Sequence, residues 1–216
     1  MPLPRPGSAP PTAAPRPVRL GVHGSTRQAE RIAAAAGVPP SAVEYVPYEV
    51  AEPFAPLRAG LADIMLLKYD PLEPDIAVSA PVAFDGRAVL VGAGHPLAGR
   101  AEVSIEEVAD HEAFRCPGSF PPHVWDLVVP PHTPRGRPIR RVHPMTTLDA
   151  LAELLRGGSA VHVSFRSLEA VLPPDIKIIP VHDLPPSPVA FGRLRGVEPP
   201  GHVARFVAAA ERAVQR

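Results

Sequence analysis

Residues 88–110 read AVLVGAGHPLAGRAEVSIEEVAD. Ala88 to Val91 is an unbroken apolar run of the length a doubly buried strand takes. Glycines at 92 and 94 break it, and the turn His95-Pro96-Leu97-Ala98 follows. Ser104 then stands three residues before Glu107, the spacing at which a hydroxyl and a carboxylate cap the first turn of a helix reciprocally. An apolar segment that leaves one core, passes a Pro-marked turn and starts a new helix predicts a crossover between two lobes.

The rest of the chain has room for both lobes. It holds 216 residues, of which 45% are hydrophobic, enough for one large domain or two small ones. Lys plus Arg number 22 and Asp plus Glu number 22, so the formal charge is zero. Nucleic-acid binders rely on a basic surplus to neutralise phosphates, so direct DNA binding is not expected. Cys116 is the single cysteine, which rules out an intrachain disulfide and gives no sign of an oxidising compartment. No apolar run approaches the roughly 18 residues of a membrane helix, and the first residues lack a signal-peptide core. A cytoplasmic location without membrane contact is the expectation.

Before the crossover, 1–17 is Pro-rich and predicts a disordered or polyproline-like arm. Val18, Leu20 and Val22 alternate as a strand. Ser25 and Gln28 have capping-box spacing, and Ala29, Ile32, Ala33 and Ala36 form a helical stripe that Gly37 closes. A strand feeding such a helix offers free N–H groups and hydroxyls to an anion, although Ser25 serves equally as a plain cap. Val43 to Val50 reads as a strand, Phe54 to Leu61 as a short helix, and 63–67 as a strand buried on both faces. Lys68 and Tyr69 leave that strand at its carboxyl end, where ligands of open α/β sheets gather.

Beyond the crossover, 113–116 reads as a strand ending at Ser119, and Pro122 to Val129 as a short helix carrying Trp125. Pro130 to Pro138 predicts a surface loop, made locally basic by Arg135, Arg137, Arg140 and Arg141. Thr146-Thr147 opens the clearest helix, with Leu148, Leu151, Ala152 and Leu155 on one stripe and Gly157-Gly158 as its stop. Strands follow over 159–165, 177–181 and 189–194, and a last helix carries Val203, Phe206, Val207, Ala210 and Val214.

Three segments together resemble the effector-binding domain of LysR-type transcriptional regulators. They are the crossover with its His-Pro-Leu-Ala turn, the string LRAGLADIMLL over 57–67, and the helix–glycine–strand unit from Met145 through Val163. The family usually continues that unit with a Leu-Pro or Val-Pro pair where Ser164-Phe165 stands here. The resemblance implies an α/β fold of the periplasmic-binding-protein type II, with two lobes joined by two crossover strands. Lobe I is expected over 18–90 plus 186–216, and lobe II over 91–185. The winged helix-turn-helix that precedes this domain in such regulators has no counterpart in the Pro-rich opening residues.

The catalytic motifs of other classes are missing. There is no P-loop, no dinucleotide-binding glycine turn and no nucleophile elbow. The nine histidines show no metal-ligand spacing, so neither metal nor cofactor is expected, and Cys116 reads as an inert thiol. What remains is a set of small hydroxyls at helix starts. The expected ligand-binding residues are Ser25, Thr26, Lys68, Ser119, Thr146, Thr147 and His162, around a small carboxylate or other polar metabolite; the resemblance places Ser25-Thr26 and Thr146-Thr147 in the effector site. His162 reads first as a satisfied core histidine and second as a hydrogen-bond partner for the ligand. The expected function is a standalone sensor or accessory ligand-binding module, with a cleft enzyme of lyase or cyclase type as the alternative and a homodimer as the possible assembly.

Overall fold

The computed structural model describes residues 16–214. In chain order the elements are β1 (Val18–Val22), α1 (Arg27–Ala35), β2 (Val43–Pro47), α2 (Ala55–Arg58), β3 (Ile64–Lys68), β4 (Ile76–Val78) and β5 (Ala83–Asp85). Then come β6 (Arg87–Gly92), α3 (Ile105–Val108), β7 (Glu112–Phe114), α4 (Pro122–Val128), β8 (Arg140–His143), α5 (Leu148–Arg156), β9 (His162–Phe165), β10 (Ile176–Pro180), β11 (Ser187–Leu194) and α6 (Gly201–Val214). The fold is the expected mixed α/β arrangement of two lobes.

Lobe I is built on one sheet in the order β2-β1-β3-β11-β4, with β5 also paired to β11. β1 runs parallel to β2 and β3, while β11 returns antiparallel to β3. The side chains of β3 show why it must be central. Ile64 and Leu66 pack with α1 and α6 through Ile32, Val203 and Phe206, while Met65 and Leu67 pack on the other face with Phe54 and Leu57. With apolar neighbours on both faces, period-two alternation shows nothing polar, and a continuous apolar run is the only sequence that fits. α1 ends as expected: Gly37 has φ +71, and N–H bonds from Gly37 to Ala34 O and from Val38 to Ala33 O close a left-handed cap.

Lobe II contains the antiparallel sheet β10-β6-β9 and the parallel pair β7-β8. The run that predicted the crossover is the middle strand of its core: Val89, Leu90 and Val91 are buried with Phe114, Leu151 and Leu155. Gly92 is required where α5 crosses the end of β6, because a Cβ there would lie 2.4 Å from Leu155 O. α3 opens with the expected reciprocal cap between Ser104 and Glu107.

The change of sheet falls at Gly86. Asp85 still pairs with Ser187 in lobe I, whereas β6 pairs only with β9 and β10, so the boundary expected after Leu90 cuts through the middle of β6. The return passes through 181–186, where Val181 N–H bonds Arg87 O at 3.0 Å. The stretch 130–138 lies in no named helix or strand, as expected. Arg140 and Arg141, which add to its basic character, begin β8, whose pairing with β7 depends on a partner far away in sequence.

Most of the Pro-rich arm, residues 1–15, lies outside the described residues, and Arg16 is anchored, its guanidinium 2.9 Å from the Asp63 carboxylate that Arg19 shares at 2.7 Å. Among the described residues no helix is long and apolar enough to cross a membrane.

Candidate functional site

A cleft opens between the lobes. Its cavity volume is about 120 Å³. Lobe I supplies the carboxyl ends of β1 and β3, bringing His23, Lys68 and Tyr69 to the cleft, together with Ser25 and Gln28 from the start of α1. Lobe II supplies Phe120 and Trp125 around α4, His162 and Phe165 on β9, and Ser167 just beyond it. The chain has one Trp, three Tyr and seven Phe. Six of those eleven (Tyr48, Phe54, Tyr69, Phe120, Trp125 and Phe165) border this cleft.

Polar groups gather at one corner. The Lys68 ammonium pairs with Asp85, the last residue before the crossover. It also donates to Gln28 Oε1 at 2.5 Å and Ser167 Oγ at 3.4 Å, and lies 5.0 Å from the centre of the Phe165 ring. Burial pulls its pKa down, and the Asp85 carboxylate opposes that pull. Lys68 therefore touches lobe I, the crossover and lobe II at once.

Arg87, on the other side of Gly86, is only 3% exposed. Its guanidinium donates to Leu127 O and to the Tyr69 hydroxyl, both at 3.0 Å, and to Val128 O. It also lies over the Phe165 ring at 5.2 Å. Burial lowers its pKa, while Tyr69 and Asp85 act the other way. Tyr69 itself has φ +68, a left-handed conformation that a bulky residue adopts only where its surroundings impose it. The bond to Arg87 is one such constraint.

His162 is 3% exposed. Its ring stacks on Trp125, centroids 5.9 Å apart, and meets the edge of Phe114 at 5.4 Å. Burial, helped by the nearby His23 and Arg87, pushes its pKa down to about 3, so the imidazole is neutral. Its Nδ1 has no hydrogen-bond partner among the described residues, unlike the satisfied core histidine that the sequence allows. Across the cleft, His23 Nδ1 donates to Tyr48 O at 2.9 Å.

Of the expected ligand-binding residues, Ser25, Lys68 and His162 border the cleft. The other four do not, and each is occupied or placed elsewhere. Thr26 gives its hydroxyl to Glu30 at 2.6 Å. Ser119 donates from Oγ to Ala51 O at 2.9 Å, fastening the lobes at the cleft rim. Thr147 caps α5 by accepting from Ala150 N–H, and Thr146 is exposed. The flanking Met145 and Leu148 face the cleft instead. The capping box expected at α1 is absent as well: Ser25 Oγ accepts from Arg27 N–H, and Gln28 turns to Lys68. At the rim, Gly118 has φ +45, and a Cβ there would come within 2.5 Å of Ala51 O.

Sequence reasoning passed over His23, Gln28, Ser167 and Arg87. Only Arg87 left a signal, as a charged residue joined directly to the apolar run of β6. Cys116 is half-buried, donates to Phe120 O, and has its pKa raised by burial, which suits an unreactive thiol.

The comparisons agree with this geometry. The LysR substrate binding domain profile matches residues 23–215. No curated protein sequence matches the chain. Among solved structures, the LysR family transcriptional regulator CbnR superposes with a TM-score of 0.70 at 17% identity, over 91% of this chain and 69% of that one. The effector binding domain of QuiR, solved in complex with shikimate, gives 0.65 at 15% identity, over 90% and 95%. The regulatory domain of Synechocystis CcmR, in complex with 2-PG, gives 0.61 at 15%, over 94% and 99%. With the family profile spanning nearly all of the described chain and the two-lobed fold in agreement, the chain belongs to the LysR substrate-binding-domain family.

Proposed function

We propose that this domain senses a small organic acid with an aromatic or similarly apolar body, bound between the lobes, as the effector-binding part of a transcriptional regulator. The observation that carries the reading is the lining: six of eleven aromatic residues face one cleft whose polar atoms converge on Lys68. An apolar body gains by burial against these rings. Of the charges on either side of Gly86 and at Lys68, Lys68 and Arg87 are cationic and Asp85 anionic, so an anion in the cleft offsets the remaining positive charge. Its carboxylate fits the corner formed by Lys68, Gln28, Ser25 and Ser167, and an anion there draws both lobes onto one group. Thr26, Ser119 and Thr147 have structural duties in this reading, and Thr146 is exposed outside the cleft.

Calorimetric titration with benzoate and benzamide tests it, since the two share a shape and differ in charge. Benzoate should bind more tightly, and Lys68→Met should weaken benzoate by roughly 10- to 100-fold, the range of a charge-assisted hydrogen bond, while leaving benzamide nearly unchanged. Equal binding of acid and amide would remove the anion from the proposal.

A further inference from the structure

The lobe II side of the cleft carries a polar group without a partner among the described residues. His162 is buried on β9, held by stacking on Trp125 and by the edge of Phe114. Among the residues that border the cleft, it alone has a fully buried side-chain nitrogen or oxygen without a hydrogen bond, as far as the described residues show. A buried polar atom left unpaired is costly, and native interiors rarely keep one without a reason. Replacement by an apolar residue of similar size would remove that cost, and the neighbours here are already aromatic. We propose that His162 is a specificity residue: it hydrogen-bonds a hydroxyl or carbonyl on the body of the ligand, so the cleft selects a ring bearing such a substituent over the bare ring.

This inference rests on the organic-acid reading above and adds a second fixed point to it. The ring is rigidly placed and uncharged, so it offers one N–H and one lone pair and can meet a hydroxyl in either sense. Its charged or titratable neighbours, Arg87 on β6 and His23 across the cleft, favour the neutral form. A ligand held at both ends gains discrimination because a site built for a hydrogen bond rejects the analogue that lacks it.

The test compares benzoate with 2-, 3- and 4-hydroxybenzoate on the whole chain, wild type and two variants, by calorimetry at neutral pH. In the wild type at least one hydroxylated isomer should bind about tenfold more tightly than benzoate. His162→Phe should bring that ratio to about one. His162→Gln, which keeps donor and acceptor, should retain part of the preference. It also serves as the readout if the phenylalanine variant fails to fold. A wild-type ratio near one for all three isomers, or a ratio unchanged in both variants, overturns the role of His162 while leaving the acid reading in place. If benzoate and every hydroxylated acid fail to bind at millimolar concentration, the acid reading falls and the inference with it.

Discussion

The Lys68–Asp85 pair is the best point at which to test the energetics of the crossover. The Lys68 side chain is 20% exposed and that of Asp85 6%. Both charges have left bulk water, so each depends on the other. Their remaining partners differ. With Asp85 gone, the ammonium keeps Gln28, Ser167 and the face of Phe165. With Lys68 gone, the more buried carboxylate has no other side-chain ion pair among the described residues. Breaking one side of a buried pair costs about 3–5 kcal/mol. The spare partners of Lys68 place Asp85→Asn below that range, at about 2 kcal/mol, and Lys68→Met within it, at about 3–4 kcal/mol. Removing both charges leaves nothing uncompensated, so Lys68→Met/Asp85→Asn should cost about 2 kcal/mol, far less than the sum. Urea denaturation of the four proteins, with a common m-value, gives these differences directly. Additive single effects, with an interaction energy under about 0.5 kcal/mol, would show that the pair carries no coupling and refute the argument.

Two further predictions concern residues around the cleft. Thr147→Ala should lower stability by about 1 kcal/mol through loss of the α5 cap, and Thr146→Ala should stay within about 0.5 kcal/mol; neither should change benzoate affinity, and a loss of affinity in either variant would return these hydroxyls to the site. The buried His162 gives a pH dependence of known sign. Its pKa falls from about 6.5 in the unfolded chain to about 3 in the folded one. Between those values the unfolded state binds the extra proton, so stability is intact above pH 6.5 and is lost as pH falls towards 3. His95 and His111, also lowered by burial, add in the same direction. Replacing His162 by Phe should remove at most about 1.4 kcal/mol per pH unit from the acid slope between pH 6 and 4. An identical slope in chemical denaturation would show that His162 titrates normally.

The elements legible in the sequence are those whose pattern is local and long. β6 and β3 are unbroken apolar runs, and α5 repeats leucines at helical spacing. Their burial follows from that pattern alone. The site was less legible because it depends on single-residue angles. Successive residues of a helix start point about 100° apart. Ser25 therefore reaches the cleft while Thr26 turns to Glu30, and Leu148 faces inward while Thr147 caps. No spacing rule separates such neighbours when either could serve as a cap. Gln28 shows the same ambiguity: its position relative to Ser25 suits a capping box, but Lys68 arrives from forty residues away and takes it. β8 was missed for a related reason, since Arg140 and Arg141 become strand only through β7.

The chain path gives the molecule an order of yielding under load. β1 and α6 both belong to lobe I, and the excursion through lobe II leaves and returns at neighbours, Asp85 and Ser187, that are paired to each other. Tension applied through β1 and α6 acts first on lobe I, while the β5–β11 pairing shields lobe II from the pull. Only when that clasp parts does force reach residues 86–186, which then add roughly 340 Å of contour as they extend. A molecule stretched between those two elements should therefore lengthen in two separate steps, with the ligand already lost in the first, because the cleft needs both lobes to exist.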